Sequence, residues 1–279
     1  MHIDSLKTLV SELIRVGRHK EALNAINIGL ILHPRNPLLI DLFSKIPAQY
    51  DQAFFNDSYL VSFRSAELYL YNVSNFYMFD MVIDVGAGAG AWSHAAINAG
   101  KKVVSVDGEW VKGIKKKCDT LCYFYQDLNN SLSLPFYGDL AICVEVAEHL
   151  HPERSASFVR ELCLLAPAVL FGAALPRQGG SGHINCRPHS FWIALFAENN
   201  YVPLDPFRSK FWYDGRVGPW YAQNTFLFID KKMKASFNSI PEPSLVNVYH
   251  PRVVIDSPIC IEDHLGGSID PGDEKRNAN

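Results

Sequence analysis

Apolar residues fall into two rhythms along this chain, a helical one at the N-terminus and short, nearly all-apolar runs from residue 81 onward. Leu6, Leu9, Leu13 and Ile14 recur at three- and four-residue spacing, Gly17-Arg18-His19 interrupts them, and Ala22, Ile26, Gly29 and Leu30 begin a second amphipathic stretch that stops at Pro34. The spacing predicts a helical hairpin, with a further helix opening at Pro37 and running through Ile46. Residues 62–71 form an aromatic-rich helical pattern whose Tyr69 and Tyr71, with Phe76 and Tyr77 just beyond, divide between core packing and a pocket wall. Apolar runs at 81–85, 102–106, 121–125, 139–144 and 168–174 then alternate with polar or helical stretches, the signature of parallel strands buried on both faces. A helix at 191–196 and a closing strand at 224–229 complete the series.

The expected fold is therefore α/β: a mostly parallel sheet with helices on both faces and a small N-terminal helical extension. Four regions follow: a helical segment over 1–50, linker or lid helices over 51–80, the sheet domain over 81–230, and a C-terminal extension over 231–279 whose last residues have a disordered composition.

Composition narrows the functional classes. With 279 residues, 48% hydrophobic and 12% aromatic, the chain can bury one large core, and its net charge of −3 excludes a general nucleic-acid binder. Lys112 and Lys115 to Lys117 read as a solvated face, on a helix beginning at Gly108. No apolar run reaches the ~20 residues that span a bilayer, and Met1-His2-Ile3-Asp4 lacks the form of a secretory signal, so the expected location is cytoplasmic. The six cysteines contain no Cys-x-x-Cys pair and read as thiols of a reducing compartment.

The chemistry concentrates where strands end. Met81 to Val85 runs directly into Gly86-Ala87-Gly88-Ala89-Gly90, and glycines after a strand let main-chain N–H groups approach a ligand that any Cβ would hold off. Gly86-x-Gly88-x-x-Ala91 also satisfies a dinucleotide fingerprint, which leaves a nicotinamide cofactor open. Gly90 and Asp84, two residues ahead of Gly86, favour a different cofactor. Asp107 closes the second strand at the distance, about 20 residues on, where an acid accepts ribose hydroxyls.

These residues resemble the class I S-adenosylmethionine-dependent methyltransferases, whose first motif is an acid, one residue, then alternating glycines. The resemblance implies that Asp84, Gly86, Gly88, Gly90 and Asp107 hold S-adenosylmethionine, with Gly86 and Gly88 along its methionyl part, and that Asp127 of Gln126-Asp127-Leu128 meets the adenine amino group. Glu145-Val146-Ala147-Glu148-His149 is similar to a Glu-x-x-Glu-His segment of many small-molecule methyltransferases, with Glu145 facing the cofactor. Residues 78–255 further resemble a bacterial and phage group of methyltransferases through Gly179-Gly180-x-Gly182-His183-x-Asn185, an aromatic-Trp helix, the run from Asp214 to Asn224 that ends Trp-Tyr-x-Gln-Asn, and Val248-Tyr249-His250-Pro251. Most of that group continues Asn-Glu-Gln where this chain has Asn185-Cys186-Arg187, so roles of the missing acid and amide do not transfer. The first fifty residues resemble part of a tetratricopeptide repeat, and because one and a half repeats cannot bury a core alone these helices are expected to pack on the sheet domain or on another subunit, through a protein contact or self-association.

Methyl transfer asks the protein for alignment, exclusion of water and removal of a proton. His149 and His183 are the candidate proton acceptors, and Arg177, Asn185 and Arg216 could orient a polar acceptor such as a small molecule or glycan. O-methylation is the expected reaction. One alternative makes the enzyme metal-dependent: if a helix begins at once after the fourth strand, Glu145, Glu148 and His149 share one face, and His183 could complete a divalent-metal site. The small-RNA 2′-O-methyltransferases, which this motif resembles, imply the same arrangement. An NAD(P)-dependent oxidoreductase and a non-catalytic adaptor are the remaining alternatives.

Overall fold

The computed structural model describes residues 3–16, 18, 21–22, 25–26, 29, 38–39, 42 and 52–253. Helix α1 (Ile3–Arg15) opens the chain and α2 (Gln52–Ser74) leads into the sheet domain. There β1 (Met81–Val85), α3 (Ala91–Asn98), β2 (Lys102–Asp107), β3 (Tyr123–Tyr125), β4 (Leu140–Val144), α4 (Ser155–Leu165) and β5 (Ala168–Gly172) follow. Next come α5 (His189–Glu198), β6 (Tyr201–Leu204), the short α6 (Arg208–Phe211) and α7 (Pro219–Asn224), and β7 (Phe226–Asp230).

Seven strands form one sheet in the order β3-β2-β1-β4-β5-β7-β6. Strands β1 to β5 are parallel, while β7 runs antiparallel against both β5 and β6. The order reverses between β1 and β4, the place where ligands of open α/β sheets bind beyond the strand ends. This is the expected Rossmann-like, mostly parallel sheet with helices on both faces.

Burial on both faces explains the continuous apolar runs. Ile83, Val85 and Phe171 pack with Phe158, Leu162, Trp192, Phe196 and Phe228 on one side of the sheet. Val82, Ile142 and Leu170 pack with Tyr69, Trp92, Phe207 and Tyr221 on the other. Tyr69 is core, its hydroxyl donating to the Tyr221 carbonyl at 2.9 Å, and Tyr71 is exposed. Phe76 and Tyr77 pack against Phe237.

Several boundaries differ from the sequence expectation. Strand β3 is three residues rather than five, and β5 ends at Gly172 rather than residue 174. Asn224 ends α7 instead of opening the last strand. Strand β6, Tyr201-Val202-Pro203-Leu204, carried no strand signal because its proline is tolerated only at a sheet edge, where β6 lies. The lysine-bearing segment after Gly108 is a 3₁₀ turn, Glu109–Gly113.

Leu6, Val10 and Leu13 of α1 cluster with Ala22, Ile26, Leu39 and Leu42, and with Ile184 of the loop that follows β5. Much of the tetratricopeptide-like stretch, including the interruption at Gly17 and His19 and the segment from Leu30 to Pro37, lies outside the described residues, as do 254–279. Among the described residues no helix is long and apolar enough to cross a membrane.

Candidate functional site at the carboxyl edge of the sheet

The glycine loop is built by left-handed backbone. Gly86, Gly88 and Gly90 have φ of 80°, 53° and 82°, conformations that L side chains rarely adopt. The N–H groups of Gly86 and Ala87 both donate to the Val106 carbonyl, at 2.8 and 3.1 Å, which folds the loop back over the end of β2. A Cβ on Gly86 would lie 2.3 Å from Val146 Cγ2, and one on Gly90 would lie 2.4 Å from Leu121 Cδ1. The loop is therefore packed on its inner side at Gly86 and Gly90.

One of the three predicted strand-end acids, Asp107, meets this loop. Asp107 accepts from Gly88 N–H at 2.7 Å through Oδ2 and from Gly108 N–H at 2.7 Å through Oδ1. Burial pushes its carboxyl up to about 6, opposed by those N–H groups and by Lys116. Asp84 is turned inward: Ser93 of α3 donates to it at 2.6 Å, and Ser93 in turn contacts Ser105 of β2 at 2.7 Å. Burial lifts Asp84 to about 7. Its structural role is to seat α3 behind the glycines. Asp127 is exposed and ties its own turn, accepting from Asn129 N–H at 2.9 Å and Asn130 Nδ2 at 3.1 Å. Sequence reasoning missed Tyr123, whose hydroxyl donates to the Gly88 carbonyl at 2.8 Å, because an aromatic in a strand carries no positional signal.

At the end of β4 the expected helix does not begin. Glu145 has φ of +56°, a strained value for a residue with a side chain, and only a 3₁₀ turn, Ala147–His149, follows. Glu145, Glu148 and His149 thus do not share one helical face, which corrects the sequence expectation. The Glu145 carboxyl is instead held by amides: Asn224 Nδ2 donates to Oε1 at 2.8 Å and Gln178 Nε2 to Oε2 at 3.2 Å. Gln223 Nε2 donates to both Gln178 Oε1 and Asn224 Oδ1, each at 2.8 Å. Burial raises Glu145 to about 7. Gln178, Gln223 and Asn224 received no role from sequence reasoning, although the Trp-Tyr-x-Gln-Asn run contained two of them.

Glu148, His149 and His183 do converge. Their ligating atoms lie within 4.8 Å of one another, and the two imidazole rings stand 4.9 Å apart at 74°. Glu148 is fully buried, and neither carboxylate oxygen has a partner of ordinary hydrogen-bond geometry. Burial and the neighbouring Glu145 carboxyl raise its pKa far above the carboxylate range. His149 Nδ1 faces the Gly182 carbonyl at 3.1 Å and His183 Nδ1 faces the Gln178 carbonyl at 3.2 Å. A carbonyl partner puts the proton on Nδ1 and the lone pair on Nε2 in both rings. Burial lowers His149 to about 4, and burial with the adjacent His149 lowers His183 to about 3, so both are neutral at pH 7. A Cβ at Gly180 would lie 2.2 Å from the His183 ring, so a side chain there would displace that imidazole.

The three residues expected to orient an acceptor behave differently. Asn185 is buried and donates to the Ala147 carbonyl at 3.2 Å and Ser155 Oγ at 2.9 Å, which makes it a fastener of the 3₁₀ turn. Arg216 forms an exposed pair with Asp214 at 2.7 Å, a surface contact worth little. Arg177 has φ of +64° within the loop after β5.

No protein-family model and no curated protein matches this chain. Among solved structures it is similar to the Synechocystis magnesium protoporphyrin IX methyltransferase with bound S-adenosylmethionine, at 16% identity over 66% of this chain and 85% of the other, TM-score 0.44. It is also similar to human N-acetylserotonin methyltransferase, at 13% identity over 74% of this chain and 67% of the other, TM-score 0.45. A Clostridium acetobutylicum S-adenosylmethionine-dependent methyltransferase is similar at 12% identity over 61% of this chain and 91% of the other, TM-score 0.45. Those activities are the neighbours' own.

Proposed function

We propose that this protein is an S-adenosylmethionine-dependent methyltransferase acting on a hydroxyl of a small molecule or glycan in the cytoplasm. One observation carries the reading: a left-handed glycine loop, whose inner side is closed to any Cβ, lies against a buried carboxylate at the point where strand order reverses. The cofactor would supply an activated methyl group. The glycine main chain holds its methionyl part, Asp107 accepts from the ribose hydroxyls, and Asp127 accepts from the adenine amino group. Either neutral His149 or neutral His183 would take the single proton that the acceptor hydroxyl gives up. The N-terminal helices serve protein contact or self-association.

Calorimetric titration with S-adenosylhomocysteine tests this, and Asp107→Ala should weaken binding on the order of 100-fold by removing two hydrogen bonds to a charged acceptor. The ribose hydroxyls need the carboxylate form, so affinity should be highest above pH 7 and fall as pH drops through about 6, with proton release on binding near that pH. NADH bound in preference would replace the reading with an oxidoreductase, and no binding of either would favour an adaptor.

A second reading makes the enzyme metal-dependent. The buried carboxyl of Glu148 beside two neutral imidazoles is a donor set that suits Mg²⁺, Mn²⁺ or Zn²⁺, with the Glu145 carboxyl next to it on its amides. A divalent ion there would lower the pKa of an acceptor hydroxyl. Protein purified without chelator should carry stoichiometric metal that His149→Ala loses. Absence of metal from both samples ends this reading.

A further inference from the structure

The loop that follows β3 has no regular structure of its own, yet every residue from 128 to 132 is gripped by the segment that follows β4. Arg154 Nε donates to the Leu128 carbonyl at 3.2 Å and Nη2 to the Asn130 carbonyl at 2.8 Å. The His151 N–H donates to Asn129 Oδ1 at 2.9 Å. Glu161 of α4 accepts from Ser131 Oγ at 3.4 Å and from Leu132 N–H at 3.0 Å. Arg154 and Glu161 are themselves paired at 2.6 Å, their side chains only 12% and 9% exposed. Leu128 and Leu132 are buried at the two ends of the grip, and Asp127 stands exposed immediately before it.

A nearly buried ion pair is a poor investment in stability, because desolvating both charges offsets most of their attraction. Its return here is geometric. Guanidinium and carboxylate offer several directional contacts each, and they use them to fix five consecutive loop residues whose own side chains are mostly too short or too polar to form a core. A loop fixed before the ligand arrives loses no freedom on binding, so its specificity is set by where its polar groups already point.

We propose that Arg154 and Glu161, with the His151–Asn129 bond, are positioning residues that set the adenine specificity of the cofactor site by holding Asp127 in place. This rests on the cofactor reading above, with Asp127 at the adenine amino group. The loop and the reaction edge are thereby one unit, since residues 149 and 151 belong to the same short segment.

The test is calorimetric titration of the full chain with S-adenosylhomocysteine and with S-inosylhomocysteine, which carries a carbonyl oxygen where adenine has its amino group. The parent should prefer the adenosyl compound by about tenfold or more, since a carboxylate accepts from the amino group and repels the carbonyl. Arg154→Met/Glu161→Leu removes both charges together and avoids stranding one. This double variant should bring the preference to within about threefold, and Asn129→Ala should lower it by about threefold. A preference unchanged in both overturns the proposal, and if the double variant does not fold, Asn129→Ala decides alone. A parent that binds the two compounds equally overturns the proposal and leaves the cofactor reading standing. A parent that binds neither removes the cofactor reading and the proposal with it.

Discussion

Gly86→Ala should reduce S-adenosylhomocysteine affinity on the order of 100-fold and lower the melting temperature by several degrees. Holding alanine at φ near +80° costs about 1–2 kcal/mol. The new methyl would also stand 2.3 and 2.7 Å from the two γ-carbons of Val146, a buried β-branched side chain that cannot swing aside. Displacing a packed group in this way costs about 1–3 kcal/mol more. Val146 immediately precedes the 3₁₀ turn that carries Glu148 and His149, so the disturbance reaches both the cofactor loop and the reaction edge. Gly113→Ala is the matched control: a Cβ there meets nothing within 4 Å, and its melting temperature should stay close to the parent's. Retention of S-adenosylhomocysteine binding within about threefold in Gly86→Ala would remove the glycine loop from the site.

Glu148→Met should stabilise the protein while eliminating any divalent metal. Glu148 is fully buried and its carboxyl stands against that of Glu145, and replacing such a group by an apolar side chain of similar length gains about 1–3 kcal/mol. For a chain of this size that raises the melting temperature by several degrees, on the order of 2–4 °C per kcal/mol. The gain should depend on pH in a defined direction. Burial raises the Glu148 pKa in the folded state, so between its unfolded value and the raised one the folded protein keeps a proton that the unfolded chain gives up. Stability from this residue therefore declines as pH rises through that window, and the methionine variant should be freed of the decline. Melting curves from pH 5 to 8 measure both effects. A clear loss of stability in Glu148→Met at every pH would mean that the carboxyl makes contacts essential to the fold. Stability given up at a buried acid is what a functional site shows when the group is kept for chemistry.

The same residue marks where the sequence stopped being sufficient. Strands β1, β2 and β4 were legible because burial on both faces demands continuous apolar residues, and that demand is local. Gly86, Gly88 and Gly90 were legible because left-handed backbone selects glycine whatever lies around it. Asp107 was legible because the chain length between the glycines and the next strand end fixes how far it lies from them. Strand β6 was hidden, since an edge strand of four residues has only half the pairing demand and tolerates Pro203.

What only the tertiary structure decided is how side chains from distant segments meet. Glu145, Glu148 and His149 were expected on one helical face, yet the left-handed turn at Glu145 sends its carboxyl toward Gln178 and Asn224 and leaves Glu148 and His149 to meet His183. No spacing rule contains that outcome, because it depends on the loop after β5 and on α7, which lie 33 and 79 residues further along the chain. Asn185 and Arg216 moved the other way, from expected substrate contacts to a buried fastener and a surface ion pair. Backbone conformation and burial are written residue by residue and can be read in order, whereas the partners of a buried polar group are chosen by the whole packed chain.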